Sequence, residues 1–400
     1  MSEAIVQAFC VFCWAAVLAA VAVHIGLTLL ALGFFFRGRR AAIGAFRPPV
    51  SILVAMKGAG ATLAENLTAL ARLDYPEVQL LLGAEDPNDP ALEVARRVAA
   101  AHPQRDIQIV AGCRGRGASP MVRTLQGLLP YAKYDILMKC DDVVRLPPDF
   151  LARAVAAFAD PQVGMSYASP VGVGETTAGA VLENFTLVWL CGVFSTAARL
   201  ISGLPVVTGK CMIWRRAALE AAGGLRPVAN MHCDDYLLAM RIRRAGRRVV
   251  LAPQVAPCVY TDWTIHGHLS RQLRWFVCRR KLSPVLHFFE PLNNLPAIGL
   301  VLGLAAGVFD LGLGLALLLG ALATKVLMDA AAAKVLRGSF ARLRHLPILL
   351  LKDYLLYGVW FTSFLTNRVD WRGRWRYVVG GSRLVAPEVY QRWLRRRSRA

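Results

Sequence analysis

A mostly parallel α/β domain held between membrane segments is the architecture this sequence predicts, and three observations predict it. Short β-type runs alternate with helical runs between residues 50 and 140, the pattern of a Rossmann-like, mostly parallel sheet covered by helices. An apolar run at 5–36 exceeds the ~20 residues needed to span a bilayer. Hydrophobic residues make up 56% of the 400 and mean hydropathy is +0.44, too apolar for a wholly soluble protein.

The run at 5–36 has His24 as its main polar interruption and is followed by Arg37, Arg39 and Arg40. That order of charge puts the next segment in the cytosol. A cleaved signal peptide has a shorter core and a basic leader, whereas this chain starts Met1-Ser2-Glu3, so a retained transmembrane helix is expected. Strands are expected at 50–54, 78–82, 107–110 and 136–138, with helices at 63–73, 91–101 and 121–129 between them. Ligands of such sheets bind beyond the carboxyl ends of the strands. There the sequence places Glu85 and Asp86, then Asp141 and Asp142. A helix begins at Asp234-Asp235-Tyr236. Two later apolar regions are 295–328, broken by Asp310 among glycines, and 346–364, which carries Lys352 and Asp353. A hairpin turning near Asp310 and an interfacial second segment keep both following basic stretches cytosolic; a single span for each would put the 334–344 loop outside. A return to the cytosol is expected. The resulting divisions are 1–40 (membrane helix), 48–290 (catalytic or binding domain), 291–366 (membrane segments) and 367–400 (basic cytosolic tail).

A net charge of +21 favours nucleic acid, anionic lipid or phosphorylated partners. The arginines cluster beside apolar segments without a recognition module, so nucleic acid is not an expected partner. Arg392, Arg395, Arg396, Arg397 and Arg399 are expected to meet anionic phospholipid. The nine cysteines are odd in number and scattered, with Cys10 and Cys13 inside the first apolar run; a reduced cytosolic face is expected rather than a disulfide framework.

Four groups of residues could carry chemistry. Asp86 lies in the turn-rich loop 83–90 and either holds a ligand or shapes the turn. Asp141 and Asp142 leave an apolar strand and could hold a hard divalent cation, or cap a turn. Asp234 and Asp235 either complement the helix dipole or form a pair whose mutual repulsion raises one proton affinity toward that of a general base. Arg271 and Arg274, three apart, share a helical face beside Trp275. They suit phosphate oxygens and a sugar or lipid, or else begin a juxtamembrane basic helix with Arg279, Arg280 and Lys281. His232, His266 and His268 lack metal-ligand spacing. The glycines of 112–117 match neither the dinucleotide fingerprint nor a Walker loop.

In this order, Asp86, Asp141, Asp235 and Arg271-Gln272-Leu273-Arg274-Trp275 resemble the ceramide glucosyltransferase family, a branch of the inverting GT-A glycosyltransferases. That family shows three spaced aspartates and then (Gln/Arg)-x-x-Arg-Trp. Further likeness lies in Leu73-Asp74-Tyr75-Pro76, Arg145-Leu146-Pro147-Pro148-Asp149, Ala222-Gly223-Gly224-Leu225 and Trp371-Arg372-Gly373-Arg374-Trp375. The resemblance implies a UDP-sugar donor and a ceramide-like membrane lipid acceptor. It implies Asp86 and Asp141 for the nucleotide and its divalent cation (Mg2+ or Mn2+), Asp235 for the base with Asp234 beside it, and Arg271, Arg274 and Trp275 for closing the pocket. It also implies an integral membrane enzyme, expected in a bacterial inner membrane with its catalytic domain cytosolic. Two departures stand out: Ser119-Pro120-Met121 where relatives commonly read Asn-Pro-Lys, and Val143 where an Asp-x-Asp would place its second acid. Arg116 or Arg123 could supply the missing cation. Within the same class the acceptor could be a hopanoid or another polyol lipid, with UDP-N-acetylglucosamine or UDP-glucuronate as donor. Outside it, the chain could be a non-catalytic basic membrane protein that binds anionic lipid.

Overall fold

The computed structural model describes residues 2–40, 44–371 and 374–397. Its centre is a seven-stranded sheet in the order β3-β2-β1-β4-β6-β5-β7. The first four strands are β1 (Val50–Ala55), β2 (Val78–Ala84), β3 (Asp106–Ala111) and β4 (Ile136–Asp141). They pair in parallel. Helices Leu63–Ala71, Pro90–Ala101 and Pro120–Leu128 connect them, close to where sequence periodicity places them. β1 is buried between β2 and β4, which is why it reads as an apolar run interrupted only by Ser51, whose hydroxyl donates to Gln79 at 2.7 Å.

The second half of the sheet is β5 (Val163–Val173), β6 (Cys211–Arg215) and β7 (Arg248–Val259). β6 runs antiparallel to both β4 and β5. Its first residue, Cys211, therefore pairs with Cys140, and Lys210 just before it meets the carboxyl end of β4. The Asp141 amide donates to the Lys210 carbonyl at 3.0 Å. This reversal brings residues 208–210 to the same sheet edge as Asp141.

The membrane-type helices gather against one side. Helix Glu3–Arg40 packs beside a hairpin of Leu295–Gly307 and Leu311–Arg337, and the hairpin turns at Asp310, whose carboxylate accepts from the Leu313 amide at 2.9 Å. Small residues let its arms touch: a Cβ on Gly303 would lie 2.8 Å from the Gly314 carbonyl oxygen, so any side chain there would separate the arms. The helix Leu346–Leu365 completes the group. By length and composition Glu3–Arg40, Leu311–Arg337 and Leu343–Leu365 can each cross a membrane. Lys352 and Asp353, the charges that made 346–364 read as interfacial, are buried in ion pairs instead: Lys352 to Asp353 at 2.9 Å and Lys325 to Asp353 at 3.6 Å, with Lys325 also on Asp329. Ala178–Ser202 is equally apolar, but 56% of its most apolar stretch is buried inside the protein, against 17–22% for the others. It belongs to the core beneath β5, and its turns at Leu187–Ser195 widen to π-helix.

The segment from residue 367 differs from the expected tail. It forms an antiparallel sheet of β8 (Arg368–Trp371), β9 (Arg374–Val379) and β10 (Arg383–Val385), then a helix Pro387–Arg397. Val369, Val378 and Leu384 bury against Val277 and Cys278, which explains why an arginine-rich stretch folds. Ser382, in the left-handed region at φ 67, accepts from the His232 amide through its carbonyl at 2.9 Å and from the Cys233 amide through its hydroxyl at 3.3 Å. The C-terminal sheet thus props the loop that leads into Asp234-Asp235. Of the expected phospholipid-facing arginines, Arg399 lies outside the described residues.

Candidate active site

The site is built at the carboxyl edge of the sheet around one carboxylate. Asp141 ends β4, and residues 139 and 141 share a face of that strand because side chains alternate. Lys139 contacts Asp141 Oδ1, and Lys210 Nζ lies 2.6 Å from Asp141 Oδ2. The Lys139 side chain is only 2% exposed, against 17% and 18% for Asp141 and Lys210. Burial alone would push the Asp141 carboxyl up, but the two ammoniums outweigh it and hold the group well below the usual carboxylate range. Burial works the other way on Lys210, and Asp141 reverses it, raising the lysine.

Gly209 links this cluster to the acid pair. Its carbonyl accepts from Lys139 and its amide donates to Asp235 Oδ2 at 2.6 Å. A Cβ on Gly209 would meet Asp235 Cβ and Oδ2 at 3.0 Å, so the contact needs glycine. Asp234 and Asp235 form the first turn of helix Asp234–Arg244. Their positions are held locally: the Tyr236 amide donates to Asp235 Oδ1 at 2.7 Å and the Asp235 amide to Asp234 Oδ1 at 3.1 Å. Burial and then the neighbouring Asp235 push Asp234 up to about 8, with Lys139 opposing. Asp235 is also raised, by burial, against the amides that donate to it. The pair titrates as a unit. Because its folded-state affinity for protons exceeds the ordinary carboxylate value, its contribution to stability is full in acid and is lost as pH rises toward 8.

The arginine motif lies on helix Ile265–Leu282, whose residues go to separate tasks. Arg271 Nη1 sits 2.9 Å from Glu183 Oε1, and its guanidinium carbon is 4.8 Å from the Trp275 ring centroid and 5.0 Å from that of Tyr260. Glu183 also binds His268 Nδ1 at 2.8 Å and accepts from Gln272 at 3.4 Å. Arg274 turns to the C-terminal sheet, donating to the Asp370 carbonyl at 3.1 Å. Trp275 packs half-buried on the domain core beside Trp263. The two arginines therefore share a helix while Arg271 is paired with Glu183 and Arg274 holds the C-terminal sheet.

Asp86 is exposed at the end of β2 and accepts from the Asn88 amide at 2.9 Å, so it shapes its own turn as well as standing at the sheet edge. Arg123, a possible replacement for the missing cation, is committed to Glu85 through two bonds of 2.6 and 2.9 Å and to the Gly117 carbonyl at 2.8 Å. The divalent-cation expectation for Asp141 and Asp142 fits poorly. A hard cation needs carboxylate oxygens, yet both oxygens of Asp141 face ammoniums. Among the described residues no group of three His, Cys, Asp or Glu could hold a metal. Lys139, Lys210 and Glu183 escaped the sequence reading, although each is a charge inside a largely apolar run. That was the available signal.

The glycosyl transferase family 21 model matches residues 11–384. Ceramide glucosyltransferase 1 of Caenorhabditis elegans is 22% identical over 261 residues, covering 64% of this chain and 55% of its own length. Ceramide glucosyltransferase 3 of the same organism is 20% identical over 354 residues, covering 85% and 75%. This chain thus spans little more than half of the first relative. Among solved structures, a mannosyltransferase from Pyrobaculum calidifontis, in complex with GDP-Man and Mn2+, superposes with a TM-score of 0.48 and 21% identity, covering 88% of this chain and 98% of that one. With the family match running through the sheet, the acid pair, the arginine helix and the C-terminal strands, the chain belongs to glycosyl transferase family 21.

Proposed function

We propose that this chain is a membrane-bound lipid glycosyltransferase that moves a hexose-type sugar from a UDP-sugar to the primary hydroxyl of ceramide, with inversion. Family membership and the ceramide glucosyltransferase relatives support the class of reaction. The observation that carries the residue roles is Gly209, which holds the raised carboxylate Asp235 on its amide and the Lys139–Asp141 cluster on its carbonyl. A base and a cationic anion site on either side of one glycine match the demands of an in-line displacement. The acceptor oxygen loses its proton to Asp235 as it attacks the anomeric carbon, and the diphosphate departs on the opposite face. Burial raises the basicity of Asp235, and Asp234 stands beside it. Asp86 stands where the nucleotide enters, and Arg271 and Trp275 enclose the pocket from the helix behind it, while Arg274 fastens that helix to the C-terminal sheet.

The proposed arrangement uses 48–290 for catalysis and the helices of 1–40 and 291–366 to keep the site at the bilayer face, where an acceptor that stays in the lipid can reach it. The basic residues in the last turn of the first helix, Arg37, Arg39 and Arg40, favour a cytosolic catalytic domain, expected at a bacterial inner membrane. Exposed arginines of the final helix, Arg392 among them, meet anionic phospholipid. Mass spectrometry of lipids from cells with and without the chain tests this reading. A hexosylated ceramide that appears only with the chain is expected; an unchanged lipid profile, or a hopanoid glycoside in its place, contradicts the acceptor.

The raised acid pair sets a pH dependence. In kcat/KM the acid limb should lie above the ordinary aspartate range, because burial raises Asp235 and the base must be ionised to act. Asp234→Asn removes one carboxyl of the coupled pair and should not raise that limb. A limb near pH 4 in the unaltered protein would contradict the assignment.

A further inference from the structure

We propose that Lys139 and Lys210 serve as the counter-charge for the sugar-nucleotide diphosphate, the task a divalent cation performs in many sugar transfers, so that turnover needs no added metal. The inference rests on the glycosyltransferase reading above. Its ground is the setting of one carboxylate at the strand end. Both oxygens of Asp141 are taken by ammoniums, at the edge where ligands of parallel sheets bind. Arg271 stands close enough to depress Lys210, and Glu183 balances it.

Neither lysine is placed as an ordinary surface charge. Lys139 sits in the middle of the sheet with its side chain 2% exposed, and β4 is paired on both sides. A buried ammonium is strongly destabilising unless it is paired, and its partners here are Asp141 and the Gly209 carbonyl. The strand prevents Lys139 from swinging out to water. A divalent cation on Asp141 would therefore have to expel Lys210 or share one carboxylate with two ammoniums, four positive charges against one before donor arrives. The acid that would offset them is absent, since Val143 occupies that place. In the transfer, the bond between the anomeric carbon and the diphosphate oxygen breaks as the acceptor oxygen bonds that carbon. The acceptor proton goes to Asp235, and the electron pair left on the diphosphate is met by a hydrogen bond from the Lys210 ammonium, with buried Lys139 acting through its charge. Both lysines stay protonated throughout.

The test uses the full chain in lipid vesicles with UDP-glucose and ceramide, in excess EDTA or with added Mg2+ or Mn2+, together with calorimetric binding of UDP under the same conditions. Turnover and UDP affinity in EDTA are expected within about twofold of their values with metal. Lys139→Met should weaken both, lowering kcat by about 10²–10³-fold, and Lys210→Gln, more exposed and less apt to disturb folding, should weaken UDP binding. A loss of UDP binding in EDTA that Mg2+ restores overturns the proposal, as does unaltered UDP binding in both variants. A chain that binds UDP in EDTA yet glycosylates no ceramide upholds the lysine assignment and contradicts the acceptor instead.

Discussion

Asp235→Asn should lower kcat by about 10²–10⁴-fold, the usual contribution of a positioned general base, while the protein remains folded. The substitution is nearly isosteric. An amide oxygen can still accept from the Gly209 amide as Asp235 Oδ2 does at 2.6 Å, so the loop that carries Lys210 keeps its place. What disappears is the negative charge that takes the acceptor proton. Removing it also relieves the repulsion that raises Asp234, which offsets the bond from the Tyr236 amide that the Asn nitrogen cannot accept, so the melting temperature should change little. A fall in kcat with unchanged donor affinity and an intact melting transition is the expected signature. Turnover at the unaltered rate would remove Asp235 from the reaction.

The largest effect on stability should come from Glu183→Ala, about 3–5 kcal/mol, the range for removing one partner of a buried pair. Glu183 is fully buried, and the Arg271 side chain opposite it is 7% exposed. Without the carboxylate, a guanidinium confined between Tyr260 and Trp275 has no counter-charge, and His268 and Gln272 lose the atom they share. Thermal unfolding in detergent micelles measures the loss. Glu183→Gln, which keeps an acceptor and the volume, should lose less. Melting temperatures unchanged by both variants would mean that Arg271 finds another partner, and the rigidity attributed to the arginine helix would have a different source.

The parts of this protein visible in its sequence are those set by local pattern. β1 to β4 and their helices follow from alternation and periodicity, and their ends fall within a few residues of the expected positions. The turn at Asp310 follows from an acid among glycines in an apolar run, which cannot continue a bare helix through lipid and caps the next one instead. β5 to β7 were not legible. β5 contains Pro170, Gly164 and Gly172, β7 contains Pro253 and Pro257, and both owe their strand form to pairing with each other and, for β5, with β6. The acid pair was legible because two adjacent aspartates opening a helix are conspicuous. Its setting was not, since Gly209 reaches it only through the antiparallel reversal at β6. The same reversal delivers Lys210 to Asp141, a pairing across 69 residues that no spacing rule anticipates. The C-terminal strands were hidden by their arginines, since each strand is anchored by a single buried apolar residue, Val369, Val378 or Leu384.

One experiment addresses the central claim, that sugar passes from a nucleotide donor to a membrane lipid at the Asp235 site. Purified chain in vesicles containing ceramide is supplied with isotope-labelled UDP-glucose, and the organic phase is assayed for labelled lipid, with Asp235→Asn in parallel. The account predicts a labelled β-hexosyl ceramide, formed by the unaltered chain and lost with Asp235→Asn. Label that stays in the aqueous phase with every UDP-hexose tried, or a product formed equally by both proteins, would contradict it.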